Sequence, residues 1–284
     1  MNAKAVVMLL ALNLTGAAGA IAAPFAMVTD VKGDAWALGG AKPRKLVVLG
    51  YIEVPTEVRV DAATTLAVTY FSSGTQYSFA GPSRVALDAA APRMLEGQAA
   101  QEKKVAPEKS IGGGGLSTDQ WRRLQQATVV MRAVKSSFSV VGPDKTAVLE
   151  REPEFEWTPA NGARRYRLVV YGANNQVVHE QTTDQNLVRP GAKLNLQPGR
   201  QYRWKVDALS VAKPVSVAGV FVIADQSARE RALASKPPAG ADMAARVFYA
   251  TTLEAEGHAH DARAEWKALA RDFPNVPEIA QRSR

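Results

Sequence analysis

The stretch that decides the fold of the central part of this chain is LQPGRQYRWKVDA, residues 196–208. Its first half contains a Pro-Gly pair, which is typical of a turn. Its second half places Tyr202, Trp204 and Val206 at every second position. Because successive side chains of a strand point to opposite faces of a sheet, this spacing predicts a β-strand with one buried face.

Similar short strands surround this stretch. Residues 153–157 alternate between apolar and polar side chains, and an Asn-Gly turn at 161–162 separates them from a second alternating run at 166–170. Residues 219–223 supply a last strand. The pattern predicts one small β-sandwich over residues 146–225.

This sandwich resembles a fibronectin type III domain, and the most specific part of the resemblance is the run Leu-x-Pro-Gly-x-x-Tyr at residues 196–202. In that family the tyrosine hydroxyl bonds to nearby backbone and locks a corner of the sandwich. The resemblance implies this role for Tyr202. It implies no particular function, because such sandwiches carry many.

Composition narrows the class of protein. The chain has 284 residues, of which 46% are hydrophobic, and is long enough for two or three modest domains. It contains no cysteine, which excludes disulfides, thiolate zinc sites and cysteine nucleophiles. Its net charge of +8 is compatible with nucleic acid or with anionic envelope polymers as a partner.

The first 22 residues are typical of a cleavable secretory signal. Lys4 gives a positive start, residues 5–14 are an apolar run, and residues 20–22 offer small side chains for a peptidase. No later stretch is apolar enough to span a membrane. An exported chain without disulfides suggests the bacterial periplasm, so we expect no nucleic acid partner.

Residues 24–92 read as a second all-β unit, either a sandwich or a solenoid of small turns. Its short motifs are Val31-x-Gly33-x-Ala35, Leu49-Gly50, Ser73-Gly74-Thr75 and a Gly-Pro-Ser-x-Val-x-Leu ending at residues 81–87. In this order they resemble the periplasmic FecR-type domain. That family acts in envelope signalling during iron uptake, where it is fused to a membrane span and a cytoplasmic arm. The resemblance implies a sensing or binding role here, without the fused parts.

A linker and a helix follow this unit. Residues 97–116 are rich in Gln, Lys, Glu, Ala and Pro and contain four glycines at 112–115, so we expect a flexible linker over residues 93–116. A connecting helix is predicted over residues 117–135. Its start carries the capping box Ser117-x-x-Gln120, and Trp121 lies on its apolar face, where we expect it to dock the helix on a β domain.

The last part of the chain, residues 226–284, changes to helical spacing. Helices are predicted over 226–235, 242–256 and 258–272. Gly257, Ala262, Trp266 and Pro274 have the offsets of a tetratricopeptide repeat, which this segment resembles. Because one repeat cannot bury its own apolar face, the tail should dock on a neighbouring module or on a partner.

The candidate catalytic groups in the sequence favour a protein that is not an enzyme. The sequence His258-Ala-His260-Asp261 could supply metal ligands, but Asp261 fits better as a first-turn acid of a surface helix. Glu150, Glu152, Glu154 and Glu156 alternate along one strand and are predicted to form a flat solvated face. We therefore assign no catalytic, metal or cofactor-binding residues, and we expect no cofactor.

One surface could bind a partner. If Tyr202 and Trp204 face inward, then Arg165, Arg167, Arg203 and Lys205 face outward together on two neighbouring strands, the third and sixth of the sandwich. We call these four residues the basic stripe. It is either an ordinary charged face, with like charges set opposite each other, or a site for an anionic partner.

The sequence therefore predicts a mainly β multidomain protein, with a FecR-like β domain, a fibronectin III-like β-sandwich and a helical tail. The function we expect is non-catalytic binding or scaffolding in the periplasm, in envelope sensing or signalling. Its partner would be another envelope protein or an anionic envelope polymer. The alternative is an enzyme that acts on envelope polysaccharide or peptidoglycan through a site the sequence does not reveal.

Overall fold

The structure is a computed structural model that describes residues 24–53, 55–107, 116–130, 138–191, 194–211 and 213–283. The predicted signal segment, residues 1–22, and the four glycines at 112–115 lie outside the described residues. The described chain is mainly β, with antiparallel sheets in two domains and a C-terminal helical region.

The N-terminal domain consists of two five-stranded sheets in the described part of the chain. One sheet has the order β10-β7-β6-β1-β4 and the other the order β3-β2-β5-β8-β9. All neighbours are antiparallel. The strands are β1 (Ala26–Lys32), β2 (Ala35–Ala37), β3 (Arg44–Lys45), β4 (Tyr51–Ile52), β5 (Thr56–Val60), β6 (Thr65–Tyr70), β7 (Thr75–Ala80), β8 (Ser83–Leu87), β9 (Pro92–Glu96) and β10 (Gln101–Lys104).

The two sheets enclose a shared apolar core. Alternate residues of facing strands are fully buried there, among them Val58, Val68 and Val85. Of the two predicted arrangements, the structure therefore has the sandwich and not the solenoid.

Two of the motif glycines are required by close backbone approach. Gly33 has a φ of 98°, and a Cβ there would lie 2.3 Å from the Thr64 hydroxyl oxygen. At Gly81 a Cβ would lie 1.9 Å from the Asp61 carbonyl oxygen. A side chain at either position would force neighbouring strands apart.

The predicted linker was wrong over its first half. Strands β9 and β10 occupy part of residues 93–104 and complete the edges of the two N-terminal sheets. Nearly all their side chains are exposed or only half-buried, so no apolar alternation marks them. What holds them is backbone pairing with β8 and β7, which leaves no signal in the sequence.

The connecting helix α1 (Thr118–Val130) begins as predicted. The backbone N–H of Ser117 donates to the side chain of Gln120 at 2.8 Å, and the Gln120 N–H donates to the Ser117 hydroxyl at 3.2 Å. Both halves of the capping box are thus formed. Trp121 contacts Tyr51 of the N-terminal domain edge-to-face at 5.0 Å, which confirms the docking that we predicted. Residues 131–135 of the predicted helix lie outside the described residues.

The second domain is a β-sandwich of a three-stranded and a five-stranded sheet in the described residues. Their orders are β11-β13-β16 and β12-β18-β17-β14-β15, antiparallel except where β12 runs parallel to β18. The strands are β11 (Val140–Gly142), β12 (Thr146–Val148), β13 (Phe155–Trp157), β14 (Arg165–Tyr171), β15 (Val177–Thr183), β16 (Leu187–Val188), β17 (Gln201–Leu209) and β18 (Val215–Ile223).

The features that the resemblance to fibronectin type III domains implies are present in this sandwich. Strands β14 and β17, the predicted third and sixth strands, are direct neighbours. The Tyr202 hydroxyl accepts a hydrogen bond from the backbone N–H of Gln197 at 2.8 Å, which forms the corner that the sequence predicted. Trp157 and Trp204 are fully buried in the core between the sheets.

Replacing Tyr202 with phenylalanine should lower the free energy of unfolding by about 1–2 kcal/mol. The hydroxyl is the hydrogen-bond partner of the Gln197 N–H at the corner, and its loss leaves that donor without this partner. Urea unfolding of both proteins measures the difference. Equal midpoints and slopes would show that the corner bond contributes nothing.

The tail has four helices in the residues that the structure describes: α2 (Gln226–Ala234), α3 (Met243–Glu256), α4 (Ala259–Asp272) and α5 (Pro277–Arg282). The first three match the predicted helices within a residue or two, and α5 was not predicted. Gly257 ends α3 in the left-handed conformation, with a φ of 92°. No helix in the described part of the chain is long and apolar enough to span a membrane.

The tail packs against both β domains within the same chain. One apolar cluster joins Phe248 and Trp266 of the tail to Met27 and Phe71 of the N-terminal domain and to Leu149 of the sandwich. Helix α3 lies against strand β1, and the rings of Phe71 and Phe248 are 6.0 Å apart. The predicted docking is therefore satisfied in cis.

Candidate functional site

The basic stripe faces outward, as the alternation predicted. Arg165, Arg167 and Arg203 are exposed, and Lys205 is half-buried. The register, however, sets Arg167 opposite Asp207 and Lys205 opposite Val169. Like charges are therefore not directly opposed, and the folding cost that we expected from such an arrangement is absent.

Three of the four stripe cations have partners on the same surface. Arg167 pairs with Glu180 at 2.7 Å, and Lys205 pairs with Asp207 at 2.7 Å. The hydrogen bond from Arg167 lowers the pKa of Glu180. The guanidinium of Arg203 lies 5.0 Å from the centre of the Tyr171 ring. These contacts favour an ordinary charged surface over a dedicated anion site.

A second candidate site lies where the tail meets the sandwich, and several hydrogen bonds connect the two parts there. Strand β12 lies at the edge of its sheet, and the turn between α3 and α4 covers that edge. The backbone N–H of Ala147 and the hydroxyl of Thr146 both donate to the carbonyl oxygen of Gly257, at 3.1 and 2.9 Å. The N–H of Leu149 donates to the Asp261 carboxylate at 3.1 Å. We call this set of bonds the β12 joint; it satisfies donors that an edge strand otherwise exposes.

The His258-Ala-His260-Asp261 segment belongs to this joint and not to a surface turn, contrary to the sequence prediction. His258 is buried, and its Nδ1 lies 3.0 Å from the Ala147 carbonyl oxygen, which it can reach as a donor. Burial lowers the pKa of His258 and lowers that of His260 to about 4. Burial also raises the pKa of Asp261 to about 7, although the Leu149 N–H opposes this.

The raised pKa of Asp261 predicts a pH-dependent stability. Because the folded protein holds this proton up to about pH 7 while the unfolded chain releases it near pH 4, the free energy of unfolding should fall between those values. Asp261→Asn cannot ionise and keeps an oxygen for the Leu149 N–H. It should therefore be more stable than the parent at pH 8, by roughly 2 kcal/mol, and equally stable at pH 4. Urea unfolding at both pH values tests this; a constant difference would contradict the role given to Asp261.

Beside the β12 joint lies a cavity of about 870 Å³, a size typical of ligand sites. We call it the junction cleft. It is lined by residues 142, 148–150, 153, 154, 156 and 189 of the sandwich and by residues 229, 233, 236, 249, 253, 260, 261, 263–265, 267, 270, 271 and 283 of the tail.

Helical spacing explains which tail side chains reach the junction cleft. Arg229 and Leu233 are four residues apart on α2, so they share one face of that helix. On α4 the lining positions recur at His260, Arg263 and Lys267, again at three-and-four spacing. The apolar side chains of Leu253 from α3 and of Leu149 from the sandwich also line the cleft.

Three glutamates of the predicted row, at positions 150, 154 and 156, line this cleft, which corrects the flat solvated face that the sequence predicted. Glu156 pairs with Lys267 of α4 at 2.7 Å, and Glu154 lies 3.9 Å from Arg189. Of the three glutamates only Glu156 lies in a strand, β13, and it lines a cleft because α4 packs across from it. That docking could not be read from the alternation alone.

Several polar groups of the lining already have partners within the chain. Glu154 and Glu156 are engaged by cations, and the low pKa of His260 keeps its ring uncharged at neutral pH. Arg263 donates to the carbonyl oxygen of Val141. In the described residues no group of three or more histidine, aspartate or glutamate side chains is placed to hold a metal ion.

The comparisons with known proteins find weak likeness to solved structures. No family model matches this chain, and neither does any curated protein. Among solved structures, a two-domain fibronectin type III segment of chicken tenascin matches at 11% identity and a TM-score of 0.24, covering 72% of this chain and 87% of that one. The chicken CNTN1 FN1-FN3 structure matches at 13% identity and a TM-score of 0.20, covering 72% of this chain and 55% of that one. Because both TM-scores are below 0.5, the fold of the sandwich is assigned from its own strands and from the corner formed by Tyr202.

Sequence reasoning singled out His260, Asp261 and three of the glutamates without placing them together, and it missed the cations and Leu233 of the junction cleft. The signal that was available is the position of Arg229 and Leu233 on α2 and of Lys236 just after its end, where a large apolar side chain stands between two cations. Without knowledge of what α2 packs against, that pattern also describes a solvated helix face.

Proposed function

We propose that this chain is a non-catalytic binding or scaffolding protein of the bacterial cell envelope, which acts in the periplasm in envelope sensing or signalling. The signal-like residues 1–22 support the location. The FecR-like motifs of the N-terminal domain and the tetratricopeptide-like offsets of the tail support a role in binding.

The observation that carries this proposal is the junction cleft. Its walls come from the sandwich and from three tail helices, and the β12 joint fixes these parts against each other. A preformed cleft between packed modules is where a protein without a catalytic constellation binds its partner. The basic stripe is the weaker candidate, since most of its charges are already paired.

The proposal is tested by capture from an envelope extract on immobilised full-length mature protein. Two charge-reversal variants separate the candidate surfaces: Arg229→Glu with Lys236→Glu in the cleft, and Arg165→Glu with Arg203→Glu on the stripe. Both change the net charge equally. We expect the cleft variant alone to lose the captured partner. Loss with the stripe variant instead would assign binding to the stripe, and turnover of peptidoglycan by the parent protein would overturn a non-catalytic role.

A further inference from the structure

We propose that the junction cleft binds an acidic polypeptide segment that carries an apolar side chain among its carboxylates. This inference rests on the proposed function and names the class of partner for the same site.

In the described chain, some positively charged side chains of the junction cleft are not paired with acids. Arg229, Lys236 and Arg271 line the cleft, and none of them has an ion-pair partner among the residues that the structure describes. In contrast, Lys267 and Arg189 of the lining are held by Glu156 and Glu154. The cations that remain are available to an incoming ligand.

The acids of the lining do not cancel this charge. Glu265 pairs with Arg246 at 2.8 Å, outside the cleft lining, and the carboxylate of Asp261 accepts the Leu149 N–H. The raised pKa of Asp261 further reduces its negative charge near neutral pH. Among the lining acids that the structure describes, only Glu150 and Asp261 have no ion pair. The cleft therefore presents an excess of unpaired positive charge, which is complementary to an anion.

The apolar part of the lining selects the kind of anion. Leu233 is 52% exposed and stands between Arg229 and Lys236 along the chain. Leu149 and Leu253 also line the cleft but are only 7% and 2% exposed, so Leu233 is the leucine whose surface a ligand can reach. A uniformly polar polyanion would leave this surface uncovered, whereas a polypeptide can place an apolar side chain there and carboxylates on either side.

The test measures binding of labelled peptides to the full-length mature protein by fluorescence anisotropy. The probe is the capped peptide EDELEDE, compared with EDEGEDE, which lacks the apolar side chain, and with the uncharged QNQLQNQ. We expect micromolar binding of EDELEDE at low salt, about tenfold weaker at 0.3 M salt because exposed charges are screened. EDEGEDE should bind several-fold more weakly, and QNQLQNQ should not bind.

Matched variants locate the site. Arg229→Glu with Lys236→Glu should weaken EDELEDE binding at least tenfold, and the milder Arg229→Gln with Lys236→Gln should weaken it less, with an unchanged melting temperature. Arg165→Glu with Arg203→Glu changes the net charge as much and should leave the affinity unaltered. Equal loss with both reversals would overturn the assignment to the cleft.

The remaining outcomes separate this inference from the proposed function. Tighter binding of dextran sulfate than of EDELEDE, lost in the cleft variant, would identify an anionic polysaccharide and overturn a polypeptide ligand. If capture from envelope extract depends on the cleft but EDELEDE does not bind, the function stands and the ligand class is wrong. If EDELEDE binds in the cleft but nothing is captured, the ligand class stands and the proposed function fails.

Discussion

Replacing Glu254 with glutamine should lower the free energy of unfolding of the full chain by about 3–5 kcal/mol. The Glu254 carboxylate pairs with Arg282, and the two side chains are only 8% and 9% exposed. The same carboxylate accepts the indole N–H of Trp266 at 3.0 Å. Glutamine keeps an acceptor for the indole but leaves the guanidinium buried without its carboxylate, which is the costly half of a buried ion pair.

The matched control is Glu180→Gln, which breaks the exposed pair with Arg167. There we expect a much smaller change in the free energy of unfolding, because water solvates both charges. Chemical unfolding of both variants gives the comparison. Combining Glu254→Gln with Arg282→Leu should recover part of the loss, since it removes the buried charge that has lost its carboxylate. Similar losses at the buried and the exposed pair would show that α5 is not held as described.

The second large effect concerns the tail by itself. Expressed alone, residues 226–284 should show no cooperative thermal unfolding. The nine consecutive residues 247–255 of α3 are all buried, so every side of this helix is covered. Part of that cover comes from Leu124 of α1, from Met27 and Phe71 of the N-terminal domain and from Leu149 of the sandwich, which the fragment lacks. Circular dichroism on heating measures this.

The sandwich fragment, residues 138–225, is the control and should unfold cooperatively because its core lies between its own sheets. A sharp melt of the isolated tail would contradict the view that it is stabilised mainly by docking.

Local sequence patterns predicted the elements whose burial repeats with a regular period. The alternation through Tyr202 and Trp204 located β17, and the capping box at Ser117 located the start of α1. Gly257 marked the end of α3. In each case neighbouring residues contain the whole signal, because strand pleat, helix caps and turns are local geometry.

Elements fixed by distant pairing were missed for a physical reason. Strands β9 and β10 lie at sheet edges with exposed side chains, so backbone hydrogen bonds place them and composition does not. The junction cleft is likewise a product of docking. Glu156 reads as a solvated strand residue until Lys267 of α4 is set across from it, 111 residues further along the chain.

The central claim, that a partner occupies the cleft between sandwich and tail, is tested most directly by site-specific photo-crosslinking in living cells. A photoreactive residue replaces Leu233 in the cleft or Val215 on β18, which is also exposed, at 40%, but does not line the cleft. We predict a discrete crosslinked adduct in the periplasm from position 233, absent from position 215 and lost when Arg229 and Lys236 are reversed to glutamate. No adduct at position 233, or the same adducts at both positions, would contradict the claim.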